Sequence, residues 1–88
     1  MTDKLYNLIL KQRQLFWDIG ISSLKKLSEE AIVERIMAFG DIPEYKELEN
    51  ILGINKVKKD FKKIISKKRK NLRVETENLF QLYFQNHA

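Results

Sequence analysis

Basic side chains crowd into one stretch of this 88-residue chain. Residues 56–73 hold ten Lys or Arg and a single acid, Asp60, a balance of +9 within a chain whose total is +5. Residues 1–55 and 74–88 each carry −2. Clustered cations suit phosphate oxygens or an acidic protein face, because such contacts need positive charge and no particular base geometry. At about 100° per residue, Lys56, Lys59, Lys63 and Lys70 fall opposite an apolar stripe of Val57, Phe61 and Ile64. Lys58 and Lys62 lie along one border of that stripe, Asn55 opens the run, and Lys67 stands near its end beside Lys68 and Arg69. The alternative is a solvated helix face whose last cations suit the helix dipole.

Other chemistries find little material. With no cysteine, a thiolate nucleophile, a thiolate metal site and a disulfide framework are excluded. His87 stands alone next to the C-terminus, so no imidazole pair is present to hold a metal. Ser22, Ser23, Ser28 and Ser66 have no nearby histidine to activate them. Glu29, Glu30 and Glu34, and likewise Glu44, Glu47 and Glu49, are expected at helix starts or exposed faces, without the burial that acid–base work requires. No glycine-rich phosphate loop occurs. The chain therefore reads as non-enzymatic, without cofactor or metal. Trp17 is expected to plug the core under the first loop; exposed, a Phe16–Trp17 pair would instead mark a partner-binding hot spot.

The elements that must carry these residues are helices. Hydrophobic residues make up 43% of the chain and charged residues 33%, enough apolar surface to fold one domain over residues 1–88. Glycine occurs three times and proline once. Thr2 or Asp3 can cap a first helix running to about Gln14, with Leu5, Leu8 and Ile9 on one face. Leu15 to Gly20 breaks the period, and a short turn is expected over Ser22–Leu27. Ser28 can cap a second helix bearing Ile32, Ile36 and Phe39, ended by a left-handed Gly40. Asp41 and Pro43 suit the start of a third, whose stripe is Tyr45, Leu48, Ile51 and Leu52 and whose stop is Gly53. The fourth, from Asn55 to about Arg69, follows the i, i+4, i+7, i+8 template through Val57, Phe61, Ile64 and Ile65. Thr76 can cap a last helix containing the pairs Leu79–Tyr83 and Phe80–Phe84. The expected fold is all-α: a compact bundle of about five short helices sharing one core.

Residues 41–69 form a helix-turn-helix-like pair around Gly53-Ile54-Asn55. Asn55, Lys56, Lys58 and Lys59 would occupy its groove-reading end. The usual motif buries the residue about six after the glycine, where this chain has Lys59. Two packed helices around a glycine also occur without nucleic acid.

No apolar run approaches the roughly 20 residues needed to cross a bilayer. Leu8-Ile9-Leu10 is too short for a signal-peptide core and meets Lys11, so the expected compartment is the cytoplasm.

The ordered landmarks Phe16-Trp17-Asp18, Val33-Glu34-Arg35-Ile36, Phe39-Gly40-Asp41, the lysine-rich helix, and Asn71-Leu72, Thr76, Phe80 and Tyr83-Phe84 carry a resemblance. Over about Leu15 to Phe84 the chain resembles the small all-helical proteins of Bacteroidetes often encoded beside AbiE-type nucleotidyltransferase toxins. The resemblance implies an antitoxin-like role: binding a toxin enzyme, and the promoter the two genes share. The leading expectation is thus an antitoxin-like binding module, its lysine ridge (Asn55, Lys56, Lys58, Lys59, Lys62, Lys63, Lys67 and Lys70) on duplex DNA or an acidic partner face, and Phe16 and Trp17 on a partner protein. A homodimer is also compatible with the sequence. The alternative is a helix-turn-helix transcriptional regulator with no toxin partner.

Overall fold

Leu5, Leu8 and Ile9 recur at i, i+3 and i+4 and bury one face of the first helix, α1 (Asp3–Lys11). The structure, a computed structural model, describes residues 3–67 and 72–87. α1 ends earlier than the expected Gln14. Gln12 turns inward, and its side-chain amide donates to the Glu44 carbonyl at 3.4 Å. A 3₁₀ turn, Arg13–Phe16, then drops Leu15 and Phe16 into the core. The expected short turn is a one-turn helix, α2 (Ile21–Leu24), which buries Leu24.

α3 (Glu29–Phe39) starts as its sequence implies: Ser28 Oγ accepts from the Ala31 amide at 3.1 Å. Ile32, Val33, Ile36 and Met37 are buried, but Phe39 is 51% exposed, so it leaves the stripe expected of it. Gly40 is extended (φ −91°, ψ 166°) and not left-handed. Its requirement is space: a Cβ there would lie 2.7 Å from the Ile36 carbonyl oxygen and 3.2 Å from Leu15 Cδ1. α4 (Ile42–Leu52) has Pro43 in its first turn, and the Asp41 amide donates to Glu44 Oε2 at 3.1 Å in a capping box. Tyr45 and Leu48 are fully inside; Ile51 and Leu52 are half-buried.

Gly53, at φ +86°, is the one described residue with positive φ, and it alone separates α4 from α5 (Ile54–Ile65). α5 buries Val57, Phe61 and Ile64 as its period requires, and α3 packs along it. The described helix stops at Ile65; Lys68 to Asn71 lie outside the described residues. α6 (Val74–His87) begins two residues before Thr76, which is therefore not its cap.

α6 is held by aromatic contact. Phe80 meets Tyr45 at 4.8 Å and Phe84 meets Phe61 at 5.3 Å between ring centres. Leu79, by contrast, is 53% exposed. A polar clasp lies beside the rings. The Tyr83 hydroxyl donates to Glu49 Oε1 at 2.7 Å, Tyr45 donates to the same oxygen at 3.1 Å, and Lys46 Nζ donates to the Tyr83 hydroxyl at 2.6 Å. Burial first, then the neighbouring Glu49 carboxylate, raises the Tyr45 phenol far above its ordinary range, so it stays a donor. One hydrophobic cluster joins residues from all six of these helices, and no strand occurs among the described residues. The fold is all-α, with α4–Gly53–α5 forming the helix-turn-helix-like pair.

Candidate functional site: the cationic helix and its acidic neighbour

Helical geometry places the α5 cations in three directions, and tertiary packing gives each direction a different environment. On the flank facing α3, Lys56 Nζ pairs with Glu29 Oε1 at 3.0 Å and Lys67 Nζ with Glu30 Oε1 at 2.7 Å. Lys63 is close enough to Glu29 and Asp60 to act on both electrostatically. The Glu30 contact raises the Lys67 ammonium above its ordinary value. Asn55, Lys59 and Lys62 point outward and are exposed, while half-buried Lys58 borders α6. Among the described residues no salt bridge reaches Lys58, Lys59 or Lys62. Lys70 lies outside the described residues. The ridge is therefore divided: two of its cations are neutralised within the molecule, and three face solvent or α6 unpaired.

The neutralising acids surround a buried carboxyl on α5 itself. Asp60, the one acid in the basic block, is only 6% exposed, and its Oδ2 has no hydrogen-bond partner. Burial first, then the hydrogen bond and negative charge of Glu29 and the charge of Glu30, push its carboxyl up to about 7, against the pull of Lys63. Glu29 responds in the other direction. Burial works to raise it, but hydrogen bonds from Asp60 and Lys56 outweigh burial and hold it below the usual carboxylate range. The physical picture is one proton kept on Asp60 and donated to an ionised Glu29. Glu29 and Glu30 are thus half-buried and partnered, contrary to the expectation of plain helix-start carboxylates. Three ammonium groups border these carboxyls, and among the described residues no acidic or histidine group is arranged to hold a metal ion.

The expected partner-binding pair separates. Phe16 is 1% exposed and cannot present its ring, whereas Trp17 is 74% exposed and is no core plug. Phe16 is the last residue of the 3₁₀ turn and is held inside with Leu15, while Trp17, which follows the turn as its cap, stands at the surface. Arg35, which no spacing in the sequence marks, organises the surroundings. Its Nη1 donates to Asp18 Oδ1 at 2.5 Å and to the Leu15 carbonyl at 3.3 Å, and Nη2 donates to Asp18 Oδ2 at 3.2 Å. Its guanidinium also lies 5.8 Å from the Phe16 ring centre and 5.6 Å from that of Phe39. The Arg35 contact holds the Asp18 carboxyl below its ordinary value. The landmarks Phe16-Trp17-Asp18 and Val33-Glu34-Arg35 thus mark two ends of one clamp, which leaves Trp17 and Phe39 outside. Only their joint occurrence signals it; neither segment alone has a diagnostic spacing.

Comparison with protein-family models, with curated proteins and with solved structures gives no match to this chain. Among the described residues, no helix is long and apolar enough to cross a membrane.

Proposed function

We propose that this chain is a non-enzymatic, antitoxin-like binding module that uses α5 to hold nucleic-acid phosphates and other surfaces to hold a partner protein. The observation that carries the reading is the outward face of α5, where Asn55, Lys59 and Lys62, with Lys58 at the shoulder, form no salt bridge among the described residues while Val57, Phe61 and Ile64 fix the helix from inside. An unpaired cation can exchange condensed counterions for protein contact; one already bridged to Glu29 or Glu30 gains less. Lys56, Lys63 and Lys67 accordingly serve the α3–α5 junction. Exposed Trp17, and Phe39 beside the Arg35 guanidinium, suit the protein partner, because aromatic and arginine side chains dominate interface energetics. The resemblance to the proteins encoded beside AbiE-type toxins makes a nucleotidyltransferase toxin that partner.

Salt titration tests the nucleic-acid half. Three lysines neutralising about three phosphates give a slope of log affinity against log salt near −2.7 for duplex DNA. The double variant Lys59→Glu/Lys62→Glu abolishes the binding with its helical signal intact. An unchanged affinity in that variant refutes the surface. For the protein half, the chain co-purifies with the adjacent gene product, and Trp17→Ala disrupts the complex; no complex, and no toxicity of the neighbour expressed alone, refutes the antitoxin role. The α4–Gly53–α5 pair supports the second reading, a helix-turn-helix regulator, which predicts DNA binding with no such complex.

A further inference from the structure

Between α5 and α6 runs an open cleft of about 200 Å³, lined by Phe61, Ile65 and Phe84 below and by Lys58, Lys62, Gln81 and Gln85 at the edges. Its floor is apolar, its α5 rim carries two unpaired cations, and its α6 rim carries two neutral amides. Lys58 and Lys62 are four residues apart on one helix, so their stems leave α5 about 6 Å apart along its axis. We propose that this cleft docks an acidic amphipathic helix of the partner protein, with one apolar side chain seated against half-buried Ile65 and the aliphatic stems of Lys58 and Lys62, above the buried Phe61 and Phe84 rings, and two carboxylates, one helical turn apart, meeting the Lys58 and Lys62 ammonium groups.

The alternatives fit less well. Small-molecule sites commonly enclose about 300–1,000 Å³, and this cleft is smaller and open on one side; it suits a single anchoring side chain. Nucleobases would need exposed ring faces to stack on, but Phe61 and Phe84 are each only 3% exposed. Charge decides between protein partners. The rim is cationic, and within this chain the carboxylates nearest to α5's other flank are already committed to Lys56 and Lys67. A helix presenting glutamates one turn apart beside a leucine stripe therefore matches the rim as a second lysine-bearing helix cannot. Lys62 belongs both to this rim and to the outward α5 face, so an acidic helix seated here competes with nucleic acid. The docking inference rests on the reading of the chain as a partner-binding module; it adds the place and the chemistry of the partner.

The test uses the full chain and a fluorescein-labelled, alanine-based helical peptide with a leucine stripe bordered by glutamates one turn apart. A control peptide carries lysine in place of each glutamate. The acidic peptide binds, the lysine peptide does not, and Lys58→Glu/Lys62→Glu weakens binding at least about tenfold. Gln81→Trp, a change at an exposed position that fills the cleft from above, blocks the peptide without lowering the melting temperature. Lys59→Glu, off the rim, weakens DNA binding and leaves the peptide affinity unchanged. Equal binding of both peptides, no binding of the acidic one, or indifference to Gln81→Trp overturns the docking site even if the DNA salt slope holds. Peptide binding that passes every control without any DNA affinity would instead keep the docking site and remove the nucleic-acid half of the proposed function. Self-association of the chain that the acidic peptide does not displace, and that Gln81→Trp abolishes, would assign the cleft to a second copy and overturn the inference.

Discussion

Replacing Asp60 with asparagine removes a titrating group and keeps its shape. In the folded chain Asp60 holds its proton to about 7, while in the unfolded chain it releases that proton near 3.8. Between those values the folded state binds more protons than the unfolded one, so stability falls as pH rises through the window and levels off above it. Moving a group from 3.8 to about 7 corresponds to about 4 kcal/mol at most. Water reaches the Glu29 and Glu30 side chains, which are 27% and 25% exposed, and lowers the expected loss to about 2 kcal/mol. Glu29 is shifted the opposite way: its contribution is complete above its ordinary 4.5 and is lost as pH falls from there through its lowered value, which is below the pH 5–8 range of the measurement. Asparagine can still donate to Glu29 and has nothing to ionise. Asp60→Asn is therefore more stable than the parent by about 2 kcal/mol at pH 8, roughly 10 °C in melting temperature for a domain of this size. The difference narrows towards pH 5. Urea unfolding followed by circular dichroism at half-unit pH steps reads it directly. Parallel stability curves for the two proteins across pH 5–8 would refute the account of a proton shared between α3 and α5.

The remaining predictions concern the frame around the site. Gly40→Ala forces a Cβ to within 2.7 Å of the Ile36 carbonyl oxygen and destabilises by about 1–3 kcal/mol in thermal unfolding. Gly53→Ala meets no neighbouring atom, yet its φ of +86° with ψ of 147° costs a side-chain-bearing residue about 1–3 kcal/mol; a smaller loss would mean the α4–α5 joint relaxes. Phe80→Ala removes the ring against Tyr45 and Phe61 and destabilises by about 3–5 kcal/mol, with α6 amides losing hydrogen-exchange protection first.

Much of the fold can be read along the chain because helical periodicity and capping are local. Val57, Phe61 and Ile64 recur at one face, Ser28 offers a hydroxyl where the first amides of α3 need an acceptor, and Asp41-Ile42-Pro43-Glu44 assembles a helix start from four neighbouring residues. Those choices depend on residues within a turn or two of one another. The same locality explains why lysines on the non-buried side of α5 could be identified from spacing.

What spacing cannot supply is the neighbour across the gap. A wheel drawn for α5 puts Asp60 at the edge of the buried arc, but only the arrival of α3 beside it brings Glu29 and Glu30 close enough to keep it protonated. That arrival also removes Lys56 and Lys67 from the free ridge, while among the described residues Lys58, Lys59 and Lys62 form no salt bridge. Trp17 and Phe16 are adjacent in sequence, yet the 3₁₀ turn that buries Phe16 ends there and Trp17 stands at the surface. Arg35 reaches Asp18 across 17 positions. Charge and burial act through space, so the sequence by itself determined which helices form and which faces are apolar, and the tertiary packing alone decided which polar groups remain open to a partner.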